Sequence, residues 1–199
     1  MYEIELKARV ENKTKTTEKL NSFAKYITHI EKNDVYWLQD NSGTTTHTGI
    51  SVRIREEIKT LNDATTKKNL LVTHKRKKLE YNKEGSAVEV NQEYEFELTD
   101  RKPFEVILED SGYHIQLRKS KSTDTWEYDG ALFELSTIPY LGDYLEIEIL
   151  TDKHDEKTVT MYKKKLFNLL EKSGLTSSDI ENRYYSEMIE NLQRGKNNV

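Results

Sequence analysis

Three short segments of the sequence each carry a pair of like-charged residues two positions apart, with an apolar residue between them. The pairs are Glu3 and Glu5, Arg53 and Arg55, and Glu146 and Glu148. Side chains at i and i+2 of a β-strand point to the same face of a sheet. Each pair is therefore predicted to lie on the polar face of a strand, and Lys7 extends the first of these faces.

Carboxylate pairs and guanidinium pairs together suit a polyanion that is bound with a metal ion. Oxygen-only ligands favour Mg²⁺ or Mn²⁺, and guanidinium groups form forked hydrogen bonds with phosphate oxygens. Carboxylates gathered without a cation would repel one another, by about 4 kcal/mol per pair at 4 Å and an effective dielectric constant near 20. The pattern predicts a site for a polyanion with a divalent metal, such as a triphosphate brings with it.

A simpler interpretation is that these strands face solvent. A single charged stripe is commonly a solvated face, whose cross-strand ion pairs contribute about 0.2–1 kcal/mol each. Three pairs of consistent sign, each opposite a fully apolar face, favour the binding site over this alternative.

The spacing of apolar residues predicts the elements that position these charges. A period of two predicts strands at 2–10, 35–38, 50–55, 70–76, 88–98, 115–118, 125–128, 131–135 and 144–150. Helical spacing predicts helices at 14–30, 104–108, 155–172 and 178–193. No internal repeat and no interior linker interrupts these elements, so we expect a single domain over residues 1–199.

The composition excludes several classes of protein. Charged residues make up 33% of the 199 residues and hydrophobic residues 35%. The 12 Tyr, 5 Phe and 2 Trp argue against a disordered chain. Since the sequence has no cysteine, a disulfide framework, a thiolate zinc site and a cysteine nucleophile are excluded.

Hydropathy and charge narrow the expected location and partners. No apolar stretch approaches the roughly 18 residues of a membrane span, and the acidic start of the sequence has no signal-peptide features. We therefore expect a cytoplasmic protein that does not bind membranes. The net charge of −4 argues against nucleic-acid binding.

Five segments resemble, in order, the motifs of one superfamily. Glu3-Ile4-Glu5-Leu6-Lys7 resembles the E-x-E-x-K signature of the CYTH, or triphosphate tunnel metalloenzyme, superfamily. The other similar segments are Asp34-Val35-Tyr36-Trp37, residues 48–56, Thr73-His74-Lys75-Arg76 and residues 141–148. The last segment, with the sequence LGDYLEIE, is most similar to the class IV adenylyl cyclases of the CyaB type.

This resemblance implies an α+β fold, a closed antiparallel eight-stranded β-barrel that forms a tunnel with helices packed on the outside. It also implies a metal site for Mg²⁺ or Mn²⁺ with the ligands Glu3, Glu5, Glu146 and Glu148. The family usually has an aspartate where this sequence has Ser136. Glu134 lies two residues earlier on the same strand face and is expected to supply the missing charge.

The same resemblance implies which cations bind the triphosphate. The catalytic and substrate-binding candidates are Lys7, Arg53, Arg55 and Lys75. A further strand could contribute Arg118, Lys119 or Lys121, and the sequence leaves its register open. Arg183 either reaches the tunnel mouth or lies in solvent. Glu93 and Glu95 could bind metal, or could pair with cations of the tunnel.

The implied activity is that of an adenylyl cyclase, which converts ATP to cyclic AMP and pyrophosphate. Two alternatives stay open at this point. One is an inorganic triphosphatase or a thiamine triphosphatase, and the other is a module that binds polyphosphate or nucleotide without catalysis. In each case the partner is a nucleoside triphosphate or another triphosphate, and a homodimer is left open.

Overall fold

Eight antiparallel strands close into a barrel, and the helices lie outside it. A computed structural model describes residues 2–39, 50–60, 65–81, 87–153 and 155–196, without the side chains of residues 50, 75–81, 87–89 and 193–196. Among the residues described, no helix is long and apolar enough to cross a membrane.

The strands and helices alternate unevenly along the chain. The strands are β1 (Tyr2–Val10), β2 (Lys25–Gln39), β3 (Ile50–Thr60), β4 (Thr66–Tyr81), β5 (Ala87–Glu97), β6 (Tyr113–Tyr128), β7 (Ala131–Ile138) and β8 (Gly142–Thr151). The helices are α1 (Lys13–Phe23), α2 (Arg101–Asp110), α3 (Glu156–Lys172) and α4 (Tyr185–Lys196), with a 3₁₀ turn at Ser177–Asp179.

The strand order around the barrel is β1-β5-β4-β3-β2-β6-β7-β8, and every neighbouring pair is antiparallel. The α+β fold with a closed eight-stranded barrel, predicted from the sequence, is confirmed. Because β1 also pairs with β8, neither of these strands is left as an edge of the sheet.

The hydrophobic core lies outside the barrel. Along β1, Ile4 and Leu6 are fully buried against a cluster that includes Leu166 and Leu170 of α3, while the alternate residues of the strand face inward. A second cluster lies under α2, where Leu108 covers Trp37 of β2. The outer phase of the strands thus supplies the apolar contacts, and the inner phase is free to be polar.

The first predicted helix is seven residues too long. Helix α1 ends at Phe23, and the extended Ala24 donates its backbone N–H to Leu20 O at 2.8 Å. Residues 25–30, which continue the helical spacing in the sequence, are the start of β2. Tyr26, Thr28 and Ile30 are residue types that favour strands, and they pair there with β6.

The two predicted strands at 115–118 and 125–128 are the ends of one strand, β6. The residues between them are polar, a composition that is typical of a loop. Lys119, Lys121 and Thr123 are nevertheless buried, since this part of the strand faces the interior of the barrel. Merging the two segments gives the observed eight strands.

The last predicted helix starts too early. A capping box between Thr176 and Asp179 closes only a 3₁₀ turn. Ile180 then forms a β-bridge with Ala8, and the Glu181 backbone N–H donates to Lys7 O at 2.9 Å. This extended segment docks against β1, so α4 begins only at Tyr185.

Candidate active site

The barrel encloses a cavity of about 1140 Å³ lined mainly by charged side chains. We call it the central cavity. Carboxylates enter it from β1, β3, β5, β7 and β8, and cations from β1, β3 and β6. Since inner side chains alternate with outer ones along every strand, each charged pair predicted from the sequence lies on the inner phase.

Three carboxylates converge on one side of the central cavity. One oxygen from each of Glu3, Glu5 and Glu148 lies within 4.8 Å of the others, and we call this group the acidic triad. Glu5 and Glu148 are direct partners in the ladder between β1 and β8, and Glu3 lies two residues before Glu5 on the same face. Glu3 is only 8% exposed.

Burial and neighbouring carboxylates disfavour the charged form of one member of the acidic triad. Burial, and then the carboxylates of Glu134 and Glu5, raise the pKa of Glu148 to about 7, although a hydrogen bond with Glu3 opposes the shift. Three clustered carboxylates offer the oxygen donors that a hard divalent cation prefers. The acidic triad could therefore bind a metal ion.

The two other predicted metal ligands are engaged differently. Glu146 accepts a hydrogen bond from Lys121 Nζ at 2.6 Å, and Glu134 accepts one from the same ammonium at 3.1 Å. Glu134 also forms an ion pair with Lys32. Burial opposes ionisation, but the lysines lower the pKa of both carboxyl groups. Glu134 and Glu146 are thus neutralised by ammonium groups.

Ser136, at the place of the family aspartate, is fully buried, and its hydroxyl lies 2.9 Å from Thr123 Oγ1. This pair of hydroxyls links β6 to β7 at a register position where the two residues face each other. Glu134 lies on the same strand face, as expected, but it directs its carboxylate to Lys32 and Lys121.

A buried aspartate holds two cations on the opposite wall. Asp34 accepts hydrogen bonds from Nε and Nη2 of Arg55, at 2.7 and 3.0 Å. Lys119 Nζ lies 3.2 Å from the same carboxylate. Although burial opposes ionisation, Arg55 and Lys119 hold the pKa of Asp34 well below its ordinary value.

Arg53 is held by a second set of contacts. Its Nη2 donates to Thr73 Oγ1 at 2.9 Å, and the Thr73 hydroxyl donates to Glu95 at 2.7 Å. Glu95 also lies 3.6 Å from Arg53 Nη2. This carboxylate therefore pairs with a cation of the cavity, the alternative role predicted for it. Glu93 also lines the cavity.

The side chain of Lys75, a predicted catalytic residue, lies outside the part of the structure that is described. Its backbone belongs to β4 and faces Glu93 of β5 in the register.

The register of β6, left open by the sequence, is resolved by the structure. Lys119 and Lys121 are buried and line the central cavity, whereas Arg118 is exposed on the opposite phase of the strand. Of these three candidates, the structure brings only the two lysines into the site.

The segment before α4 closes over Lys7. The Lys7 ammonium donates to the backbone carbonyl of Arg183 at 2.5 Å and lies 4.5 Å from the ring centroid of Tyr185. The Arg183 side chain is 60% exposed and forms two hydrogen bonds with Glu181. Arg183 thus lies at the edge of the cavity, with its guanidinium held by a neighbouring carboxylate.

Sequence reasoning missed three buried residues of the site, Lys32, Asp34 and Tyr185. Lys32 and Asp34 alternate with apolar residues on β2, but Lys32 falls between the predicted helix and the predicted strand. Asp34 enters the prediction only as part of a motif. Tyr185 falls in the middle of the predicted helix at 178–193, although it is the first residue of α4.

A family model for the CYTH domain matches residues 1–185, which confirms the resemblance read from the motifs. No match to a curated protein was found by sequence comparison.

Solved structures share the fold. The PH1819 protein of Pyrococcus horikoshii aligns with a TM-score of 0.72 and 21% identity over 95% of this chain and 98% of its own. A Vibrio parahaemolyticus protein proposed to be an adenylate cyclase aligns with a TM-score of 0.71 and 21% identity, over 96% and 98% of the two chains.

A third structure is more distant. A proposed adenylyl cyclase from Hippeastrum, with a dominant triphosphatase activity, aligns with a TM-score of 0.55 and 18% identity over 87% of this chain and 88% of its own. The motifs in the sequence, the closed barrel with its charged interior and the match over residues 1–185 agree: the chain belongs to the CYTH domain family.

Proposed function

We propose that this protein is a metal-dependent enzyme that cleaves the phosphate chain of a nucleoside triphosphate, with ATP as the substrate and cyclic AMP and pyrophosphate as the products. The observation that carries the proposal is the central cavity, where the acidic triad faces cations held on the inner phase of the barrel. A polyanion with a bound divalent ion complements both halves of such a cavity.

The cations bind and orient the phosphate chain. Asp34 fixes the plane of the Arg55 guanidinium through two hydrogen bonds, and Thr73 fixes that of Arg53. Because their rotamers are set before the ligand arrives, these groups can meet developing negative charge without reorganisation. Lys7 and Lys119 add ammonium groups, which act as compact point charges.

The acidic triad would hold the metal, Mg²⁺ or Mn²⁺. When bound, such an ion polarises phosphoryl oxygens and neutralises charge on the leaving group. In a cyclase, the ribose 3′-oxygen forms a bond to the α-phosphorus while the bond from that phosphorus to the bridging oxygen breaks. Pyrophosphate and the hydroxyl proton are released.

The size of the cavity supports an organic triphosphate. Its volume of about 1140 Å³ exceeds the roughly 300–1,000 Å³ of ordinary small-molecule sites. A cavity of this volume is larger than a bare tripolyphosphate requires. Apolar side chains of Leu38, Leu71 and Leu150 are also part of the lining. The similarity of residues 141–148 to the CyaB type supports the cyclase reaction.

A triphosphatase is the second candidate. In that reaction water attacks the terminal phosphorus and orthophosphate leaves. The buried pair of Ser136 and Thr123 argues against the cyclase, since a hydroxyl stands where the family usually has a carboxylate. The Hippeastrum protein shows that a proposed cyclase of this fold can have a dominant triphosphatase activity.

Product analysis decides among these reactions. The protein is incubated with ATP, thiamine triphosphate or tripolyphosphate, each with Mg²⁺ or Mn²⁺, and cyclic AMP, pyrophosphate and orthophosphate are resolved. Cyclic AMP supports the cyclase, and orthophosphate supports the triphosphatase. Binding without turnover would leave only a triphosphate-binding module and overturn the proposed enzyme.

A matched pair of variants tests whether the activity belongs to the cavity. Glu3→Gln removes one charge from the acidic triad, and Glu109→Gln removes one from the exposed face of α2. We expect only the first variant to lose turnover, by 100-fold or more, because each carboxylate contributes about a third of the charge that holds the metal.

A further inference from the structure

The ring of Tyr185 packs against charged and aromatic groups at the edge of the central cavity. The ammonium groups of Lys7 and Lys119 lie 4.5 and 4.9 Å from its ring centroid. The ring of Tyr144 meets it edge to face, with centroids 5.3 Å apart. These contacts fix the ring and require no hydroxyl group, so a phenylalanine would satisfy all of them.

The hydroxyl of Tyr185 has no such explanation within the fold. The residue is only 8% exposed, and its oxygen is buried without a hydrogen-bond partner among the described residues. A buried hydroxyl left without a partner destabilises a fold by about 1–3 kcal/mol, so nearly all buried polar groups are paired. An unpaired donor of this kind in a ligand cavity indicates a partner that arrives with the ligand.

The cations around Tyr185 favour an anion as the hydrogen-bond partner of its hydroxyl. Tyr185 lines the cavity together with Arg53, Arg55 and Lys119. Burial, and then nearby carboxylates such as Glu146, raise the pKa of Tyr185 well above its ordinary value. The phenol therefore remains a neutral hydrogen-bond donor. The ammonium groups next to its ring attract an anionic ligand to the position of the hydroxyl.

We infer that Tyr185 binds the phosphate chain of the substrate, donating its hydroxyl hydrogen to a non-bridging phosphate oxygen beside Lys7 and Lys119. This inference rests on the proposed function, since it concerns the same cavity. Tyr185 is the first residue of α4, and Lys7 already bonds the carbonyl of Arg183 just before that helix. A bound phosphate chain then joins α4 to β1 and β6.

The variant Tyr185→Phe tests the inference, because it keeps the ring and removes only the hydroxyl. Affinity for tripolyphosphate, measured by isothermal titration calorimetry with Mn²⁺, is expected to fall about 10- to 100-fold, the loss of a hydrogen bond to a charged group. The melting temperature without ligand should equal or exceed that of the wild type, since an unpaired buried hydroxyl is lost.

Tyr144→Phe is the matched control. The Tyr144 hydroxyl lies 3.7 Å from Met188 Sδ, and the residue is not part of the cavity lining. Loss of this hydroxyl should leave the affinity for tripolyphosphate within about 3-fold of the wild type, because the hydroxyl contacts Met188 and does not reach the ligand. An equal loss of affinity in both variants would overturn the inference.

The failure of the inference and that of the proposed function give different results. If wild-type protein binds tripolyphosphate and Tyr185→Phe binds it equally well, the hydroxyl has no role and only the inference fails. A lower melting temperature of Tyr185→Phe without ligand, at unchanged affinity, would likewise show a structural hydroxyl. If the wild type itself does not bind tripolyphosphate, the proposed function fails, and the inference fails with it.

Discussion

The carboxylate of Asp34 accepts two parallel hydrogen bonds from the guanidinium of Arg55, at 2.7 and 3.0 Å. Asp34 is 2% exposed and lies opposite Arg55 in the ladder between β2 and β3. A paired buried carboxylate of this kind is costly to disturb, because its removal leaves cations without a counter-charge. The two residues therefore couple the stability of the barrel to the geometry of the site.

Asp34→Asn should lower the free energy of unfolding by about 3 kcal/mol at pH 7. The folded-state pKa of Asp34 is depressed, so its contribution is fully present above the unfolded value near 3.9. The difference between wild type and variant should then shrink by about 1.4 kcal/mol for each pH unit below 4, until the folded-state pKa is reached. Urea denaturation at pH 7 and pH 3 measures both effects.

Asp152→Asn is the control for this experiment, because Asp152 is exposed after the end of β8. It should change the free energy of unfolding by no more than about 0.5 kcal/mol at either pH. A difference for Asp34→Asn that does not depend on pH would contradict the assignment of a buried, ionised carboxylate.

Glu148→Gln and Glu146→Gln should change stability in opposite directions. Glu148 belongs to the acidic triad, so removing its charge relieves repulsion and should raise the melting temperature without metal while weakening Mn²⁺ binding at least 10-fold. Glu146 neutralises Lys121, so its removal should lower the melting temperature. Differential scanning calorimetry in EDTA, followed by titration with Mn²⁺, compares the two.

The affinity for Mn²⁺ separates the roles of these carboxylates further. Glu146→Gln leaves the acidic triad in place. This variant should keep its affinity for Mn²⁺ within about 3-fold of the wild type, because that affinity follows the number of charged ligands and Glu146 pairs with Lys121 instead. If Glu146→Gln loses Mn²⁺ as completely as Glu148→Gln, the metal site is larger than the acidic triad.

Lys119→Met and Arg118→Met form an adjacent pair on opposite phases of β6. Lys119 faces the central cavity and Arg118 faces away from it. Removing the inner ammonium should weaken tripolyphosphate binding about 10-fold, the worth of one charge-assisted hydrogen bond. Removing the outer guanidinium should have no effect beyond about 2-fold at 0.15 M salt, where exposed charges are screened. Calorimetric titration of both variants checks the register.

Ser136→Asp should not restore a family-like site. Ser136 is fully buried, with its hydroxyl 2.9 Å from that of Thr123, so a larger and charged carboxylate would have to be buried in the same space. We expect the free energy of unfolding to fall by about 3 kcal/mol or more, and turnover not to increase. Urea denaturation and product analysis test this, with Ser136→Ala as the smaller change.

Much of the site was predictable because alternation along one strand is a local property. The inner positions of Glu3, Glu5, Arg53 and Arg55 follow from a period of two, and so does the apolar outer phase that packs under the helices. Local spacing also predicts where most of the strands lie along the chain. It could not reveal that a polar run such as residues 119–124 belongs to a strand, because the inner face of this barrel is itself polar.

The pairing of charges across the barrel could not be predicted from spacing. Lys32 and Glu134 are 102 residues apart in the sequence, and their contact depends on the pairing of β6 with both β2 and β7. The division of five predicted metal ligands into the acidic triad and two lysine-paired carboxylates follows from that pairing and from the ladder between β1 and β8. Lys32 also falls in the gap between the predicted helix, which continues to residue 30, and the predicted strand at 35–38.

The ladder between β1 and β5 covers four residue pairs in the described part of the chain, whereas β1 and β8 share nine. Every member of the acidic triad lies on β1 or β8, so the longer of these two ladders carries the whole triad. The spacing of its three carboxylates is therefore set by one pair of strands that joins the first strand of the chain to the last.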